Sequence, residues 1–404
     1  MLAWDAPRSE AWKPMPYSLS DDEALIRKVV REFATANIGL EQASDFDRHD
    51  RFPADVVQAA AGLGLTALTL PTDLGGAGAG PTAYALAIHE LAKVCPNTAA
   101  VLAVHNGLGL RCLLANPSLA AELAPKAAAG ELVAVLVSEE AHGSDVGSVG
   151  TSAVPDGKGF KVTGQKVWGI AASDAKHFVV LANVQAAKGQ PSGPTLLYVP
   201  ASAAGVSLGR NEPLMGLRGA GIRTVYLSGV AVPASHVLGE VGKGLELLKA
   251  SRAWLQVGAA AAITGCVAGA FDAAAAFAAS RIQFGSPIGT YQAVSDGVTL
   301  IDVNVEASLA LTLAAAARLE GAGDDGESAQ LWAARAKAFA NEMAVPMTRQ
   351  AIRIQGGTGF MREGGTERFA RDVRALWFVG ETTQMQRDAI KRAVMPDIAF
   401  PATP

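Results

Sequence analysis

The stretch Val137-Ser138-Glu139-Glu140-Ala141-His142-Gly143-Ser144-Asp145 separates two textures of the chain. Before it, from Ser20 to about Lys126, apolar residues recur at helical spacing. After it, as far as Val237, short β-rich runs are punctuated by Gly and Pro. The stretch itself ends the apolar run Leu132 to Val137 with two serines and a glycine. Short hydroxyl donors in a glycine-containing turn let backbone N–H groups approach an anion.

On the N-terminal side, Asp21 and Asp22 can serve as N-caps, and Leu25, Ile26, Val29, Val30 and Phe33 fall at helical spacing. Asp55 to Gly62, Thr82 to Val94 and Thr98 to Leu114 read as further helices, and Pro71 to Gly78 as a loop. On the C-terminal side, Gly159 to Trp168 follows the turn Asp156-Gly157. His177 to Val184, Thr195 to Val199 and Thr224 to Val232 complete the strand-like set. Beyond Gly244 three long alanine-rich helices are expected, Leu245 to Ser280, Ala293 to Glu320 and Ala329 to Gln355. Short connections between helices of that length predict an antiparallel bundle. The fold class is therefore α+β. An N-terminal helical domain is expected over 1–128, a central β-barrel or sandwich domain over 129–240, and a C-terminal four-helix bundle over 241–404.

At 404 residues, half of them apolar and 18% charged, the chain can bury a sizeable core. A net charge of −4 gives no electrostatic reason to expect nucleic acid or an anionic membrane. Cys95, Cys112 and Cys266 are widely spaced, which predicts buried thiols rather than a disulfide framework or a zinc site; no metal is expected. Met1 to Pro16 has no apolar h-region, and the apolar stretch Val257 to Phe271 reads as too short and too weakly hydrophobic to span a bilayer. A cytoplasmic protein is expected, with a frayed tail from Phe400 to Pro404.

Five segments carry the chemistry. The first is Val137 to Asp145. The second is Gly164-Gln165-Lys166-Val167-Trp168, the third Arg281 to Ile288 with Gln292 following. The fourth is Gln355-Gly356-Gly357-Thr358-Gly359-Phe360, followed by Glu363, Arg368 and Asp372. The fifth is Thr382-Thr383-Gln384-Met385-Gln386-Arg387. In this order they resemble the signatures of the acyl-CoA dehydrogenase family, over roughly Pro71 to Arg392.

The resemblance implies FAD as cofactor. It assigns Ser138, Ser144, Trp168, Arg281, Phe284, Gln292, Gln355, Gly356, Gly357, Thr382 and Gln384 to that cofactor. Elementary chemistry agrees with the set: hydroxyls and close backbone suit a pyrophosphate, Trp168 offers a flat wall, and Arg281 neutralises phosphate. A core tryptophan, a surface salt bridge and a helix C-cap are the structural alternatives for Trp168, Arg281 and Gly356-Gly357. In the family the Arg281 and Gln355 segments serve a neighbouring subunit's FAD, so a homo-oligomer, dimer or tetramer, is implied. An acyl-CoA or related acyl thioester is the implied substrate, held by Ser144, Arg252 and Gly380. Electron-transfer flavoprotein is the implied oxidant, and fatty acid metabolism the implied setting.

The resemblance breaks at the base. The family's glutamate lies two residues before the Thr of the fifth segment, where this chain has Gly380. In other members it precedes an arginine on the first long C-terminal helix; here that arginine is Arg252, preceded by Ser251. Ile170 replaces a hydroxyl on the flavin side, and Ala220, Ile222, Lys249 and Arg353 depart from the pattern elsewhere. Glu381 is the adjacent carboxylate that can substitute, unless it merely caps the following helix. His142 and His105 read as structural. Three functions remain open at this level. One is dehydrogenation of an acyl thioester. Another is altered chemistry on the same scaffold, as an oxidase, an oxygenase or an enzyme for carrier-protein thioesters. The third is a non-catalytic subunit of a hetero-oligomer.

Overall fold

Ser20 starts the first helix. Its hydroxyl accepts from the Glu23 N–H while the Glu23 carboxylate accepts from the Ser20 N–H, a reciprocal capping box. The cap is thus Ser20, not Asp21 or Asp22, which instead place negative charge in the first turn. The computed structural model describes residues 19–187, 189, 191–321 and 328–400. Met1 to Pro16 and the tail beyond Phe400 lie outside the described residues.

Helix α1 is Asp21–Asn37, α2 Gly39–Arg48, α3 Ala54–Ala61, α4 Pro81–Ala92 and α5 Pro96–Val104. Helix α1 buries Val30, Phe33 and Ala34, whereas Leu25 of the expected stripe is exposed. The single helix expected over Thr98 to Leu114 is interrupted. A π-helical turn, His105–Gly109, precedes the short α6, Leu110–Leu113. Helix α7, Pro117–Ala128, closes this helical domain.

Eight strands follow: β1 (Val133–Leu136), β2 (Ser152–Asp156), β3 (Gly159–Gly169), β4 (His177–Val184), β5 (Gly193–Pro200), β6 (Val206–Asn211), β7 (Arg223–Pro233) and β8 (Val237–Leu238). The sheet order is β6-β7-β3-β2-β4-β5-β8. Strand β4 pairs in parallel with both β1 and β2, through Val133↔His177 and Ser152↔Asn183. The other pairings are antiparallel. The β3–β7 register slips between Lys166 and Gly169, and Trp168 sits in that bulge.

Helix α8, Gly244–Ser280, is the axis of the C-terminal domain. Helices α9 (Gln292–Leu319) and α10 (Ala329–Gln355) pack along it, and α11 (Gly357–Phe360), α12 (Thr366–Leu376) and α13 (Thr383–Val394) complete the domain. A Cβ on Gly265 would collide with the His89 carbonyl oxygen, so α4 and α8 meet at backbone distance. By length and composition α8 and α9 are each apolar enough to cross a membrane, which corrects the reading of Val257 to Phe271 taken alone; in the fold, 72% of α8's most apolar window is buried inside the protein. All three cysteines are free and buried.

Candidate active site

The first motif is a turn tied to β3 by a buried ion pair. The Glu139 and His142 backbones bond each other at 3.0 and 3.1 Å. The Glu139 carboxylate accepts from Lys166 Nζ at 2.7 Å and from the N–H groups of Gly150 and Thr151 at 2.8 and 2.9 Å. Burial alone would raise this carboxyl, but its bonds to Lys166 and Thr151 hold it down to about 2. Lys166 also donates to the Val137 carbonyl, and the Val167 N–H to Ser138 O, both at 3.0 Å. Two residues after Lys166, the bulge turns Trp168 outward at φ 57°, leaving it 55% exposed. Ser138 is partly buried and Ser144 exposed.

Hydrogen bonds run from the end of this strand to α12. The Ala171 N–H donates to Ala220 O at 2.9 Å, which joins the end of β3 to the loop Met215 to Ile222. The Leu217 N–H in that loop donates to Asp372 Oδ1 at 2.7 Å, and Arg371 donates to Met215 O at 3.0 Å. Arg371 in turn holds Asp47 and Glu367. Burial pushes the Asp372 carboxyl up to about 6, against the pull of Arg368.

Gly380 and Glu381 form the turn between α12 and α13, both with positive φ, 74° and 77°. The Glu381 carboxylate accepts from Arg252 Nη1 and from Gln256 Nε2, each at 3.0 Å. Arg252, expected to hold substrate, is thus engaged with Glu381. The Glu381 carboxylate is not spent on the helix that follows: Thr382 caps α13, its hydroxyl accepting from the Met385 N–H at 3.4 Å. Gln386 Nε2 donates to the carbonyls of Gly380 and Glu381 at 3.1 and 3.2 Å. The Gly380 N–H makes no backbone hydrogen bond among the described residues. Ser251 is buried and lies 3.9 Å from Cys112 Sγ. Ile170 is partly buried against the core.

The remaining cofactor candidates lie elsewhere in the chain. From Arg252 to Arg281 the helix advances about 43 Å, at roughly 1.5 Å per residue. There a two-stranded hairpin, Ser286↔Gln283, presents Phe284 at φ 49° with its side chain 95% exposed. Tyr291 packs edge-on against Phe284 with centroids 6.3 Å apart. Gln292 begins α9 beside the end of α10, where Gly297 packs on Gln350 and Ile354. Gln355 Oε1 accepts from Thr366, while its buried Nε2 has no partner among the described residues. Gly356 turns with φ 59°, and both Gly356 and Gly357 are exposed. Arg281 and Gln384 are exposed too. The structure thus draws Glu381, Gly380 and Arg252 together and leaves Arg281, Phe284 and Gln292 at the other end of α8. These residues fit a flavin dinucleotide: an outward indole, an unmatched buried amide and exposed clamp residues all await a partner surface.

Both ring nitrogens of the buried His105 meet backbone groups. Its Nε2 lies 2.6 Å from Thr66 O, and its Nδ1 accepts from the Val133 N–H at 3.0 Å. Burial drives its pKa down to about 4. His142 contributes its backbone to the signature turn. Sequence reading named Lys166 and Asp372 within its motif segments without giving either a role, and it missed Gln256 and Lys337. Lys337 alone had a local signal: a lysine on the alanine face Ala333, Ala336, Ala340, Ala344.

Helical domains flanking a sheet domain, with five motif segments in order, define the fold class. Family models for the N-terminal, middle and C-terminal domains of acyl-CoA dehydrogenase match residues 20–131, 134–230 and 242–395. The chain is 31% identical to the probable acyl-CoA dehydrogenase YngJ of Bacillus subtilis, over 94% of this chain and 100% of that one. It is 30% identical to the human mitochondrial short-chain specific acyl-CoA dehydrogenase, over 91% and 89%. Among solved structures, butyryl-CoA dehydrogenase from Megasphaera elsdenii superposes with a TM-score of 0.88 at 24% identity, covering 94% of this chain and 100% of that chain. The chain belongs to the acyl-CoA dehydrogenase family.

Proposed function

We propose that the protein is an FAD-dependent acyl-thioester dehydrogenase in which Glu381 is the base. One observation carries this reading. Glu381 stands beside one expected base position, Gly380, and is bonded to Arg252, the neighbour of the other, Ser251. It also holds a left-handed backbone conformation that costs a non-glycine residue about 1–2 kcal/mol. Strain kept by surrounding bonds is a mark of functional positions.

FAD, when bound, would supply the acceptor for the hydride leaving the substrate's β-carbon. The α-proton passes to the Glu381 carboxylate as the carbon–carbon double bond forms. The unengaged Gly380 N–H can polarise the thioester carbonyl as negative charge develops on its oxygen. Trp168 supplies one wall against the cofactor. Ser138 and Ser144 serve its phosphate side, with Thr382 and Gln384 nearby in sequence to the base. As the family resemblance implies, Arg281, Phe284, Gln292, Gln355, Gly356 and Gly357 serve the cofactor of a second copy, and the roughly 43 Å of helix between Arg252 and Arg281 suits that division. A homo-oligomer, acyl-CoA as substrate and electron-transfer flavoprotein as oxidant follow from the same reading.

The test is anaerobic bleaching of the FAD-loaded protein by a panel of acyl-CoAs. Bleaching in the wild type and none in Glu381→Gln is the expected result. A protein that stays colourless after FAD is added overturns the reading, as does an unchanged rate in Glu381→Gln.

A further inference from the structure

Lys337 is 0% exposed in the middle of α10. Its Nζ donates to Asn341 Oδ1 at 2.8 Å and to the Trp377 carbonyl at 3.1 Å. Asn341 Nδ2 donates to Thr383 Oγ1 at 2.9 Å, and Trp377 Nε1 donates to the same oxygen at 2.6 Å. The four residues close a ring: Lys337, Asn341, Thr383, Trp377 and back to Lys337. Trp377 and Thr383 are the two ends of the turn that carries Gly380 and Glu381. Gln386 holds the middle of that turn by its carbonyls. The ring fixes its ends.

The amine's chemistry fits this place. Burial lowers Lys337 to about 7, and the charge of Glu381 opposes that shift. A neutral amine has two N–H donors, and Lys337 has two acceptors, so the ring survives loss of the proton. Protonation adds a buried positive charge on the Glu381 side. The ionisable group whose charge reaches Lys337 is Glu381, and Glu381 is itself paired with Arg252 from α8. Asn341, Thr383 and Trp377, the other groups bonded in the ring, do not titrate.

We propose that Lys337 is the positioning residue of the base, holding both ends of the Gly380-Glu381 turn and setting the charge beneath it. This rests on Glu381 being the base, and it adds a residue that touches neither substrate nor cofactor. A lysine kept only for packing would affect stability alone. A positioning lysine changes how the turn moves and how the rate depends on pH.

The experiment uses the full-length FAD-loaded protein and three variants. Lys337→Met removes the amine. Thr383→Val opens the ring without disturbing the buried amine. Glu381→Gln tests the base itself. Hydrogen exchange of the Phe378 to Thr382 amides is read beside the pH profile of anaerobic flavin bleaching. The expected result is faster exchange in the turn for both ring variants, by about tenfold or more. A bleaching rate lower by about tenfold is expected in both. The pH profile moves in Lys337→Met and stays in place in Thr383→Val. If both ring variants fold and keep wild-type exchange, rate and profile while Glu381→Gln abolishes bleaching, the role of Lys337 is overturned and the base stands. If Glu381→Gln keeps its rate, the base reading falls and takes this proposal with it, whatever the exchange data show about the ring. If Lys337→Met does not fold, Thr383→Val still decides: unchanged exchange and rate there overturn the proposal.

Discussion

Arg252 Nη1 lies 3.0 Å from Glu381 Oε1, so the neighbours of two separate candidate base positions are in direct contact. The pair joins α8 to the turn before α13 across 129 residues of sequence. It places the region's spare carboxylate between two donors rather than in bulk solvent.

Moving a glutamate to residue 380 is expected not to restore a rate lost in Glu381→Gln. A Cβ on Gly380 finds ordinary contacts, 3.5 Å from Leu255 and 3.6 Å from Ala259 and Gln256. The backbone adds a second strained residue, since φ of 74° costs any side chain about 1–2 kcal/mol beside the strain that residue 381 already carries at φ 77°. Bleaching rates of the double variant Gly380→Glu/Glu381→Gln check this. A rate near wild type would refute it.

Breaking the Glu139–Lys166 pair should cost more than deleting it whole. Lys166→Met leaves a buried carboxylate without its cation and should destabilise by about 3–5 kcal/mol. Lys166→Met combined with Glu139→Gln should cost less than that single change. Denaturant titrations of the three proteins give the comparison. The same pair ties the signature turn to the Trp168 strand, so FAD retention should fall in Lys166→Met.

Acid should weaken the fold partly through His105. The imidazole titrates at 6.5 when free and at about 4 in the fold, because burial disfavours its charged form. A base with a depressed folded pKa contributes stability that is present above its free value. That contribution is lost as pH falls from 6.5 towards 4. The linked change has an upper bound of about 3 kcal/mol. His105→Gln keeps an acceptor and a donor without the titration. Its unfolding free energy should vary less over that range, as read by denaturant melts at several pH values.

Trp168→Ala should separate cofactor binding from folding. The ring is more than half exposed in the chain alone, so the cofactor-free protein should keep its stability within about 0.5 kcal/mol. FAD retention through gel filtration should drop sharply. A large loss of stability in the cofactor-free form would instead make Trp168 a core residue.

The parts of the fold set by local pattern were legible in the sequence. The long helices fall within a residue or two of their expected limits, because alanine-rich periodicity and flanking glycines act over neighbouring positions. His177–Val184 was read to the residue. Helices α2 and α7 and strands β2, β6 and β8 went unread; the three strands are short, and β6 is largely exposed, so the alternation is weak. The π-helical turn begins at His105, whose ring bonds to Thr66 and Val133 join segments distant in sequence, and no local pattern encodes them. The same holds for the candidate site. Motif residues could be named from the resemblance of five segments to the family's signatures. The Arg252 contact to Glu381 and the Lys337 ring join distant segments and needed the fold.

The length of α8 has a genetic consequence. If its far end serves a neighbouring copy, each site is assembled from two chains. A chain carrying Arg281→Ala and a chain carrying Glu381→Gln would each be inactive alone. Co-expressed, they would form mixed pairs in which one site has lost both groups and the other has lost neither. Two defective alleles would then complement each other in a single cell.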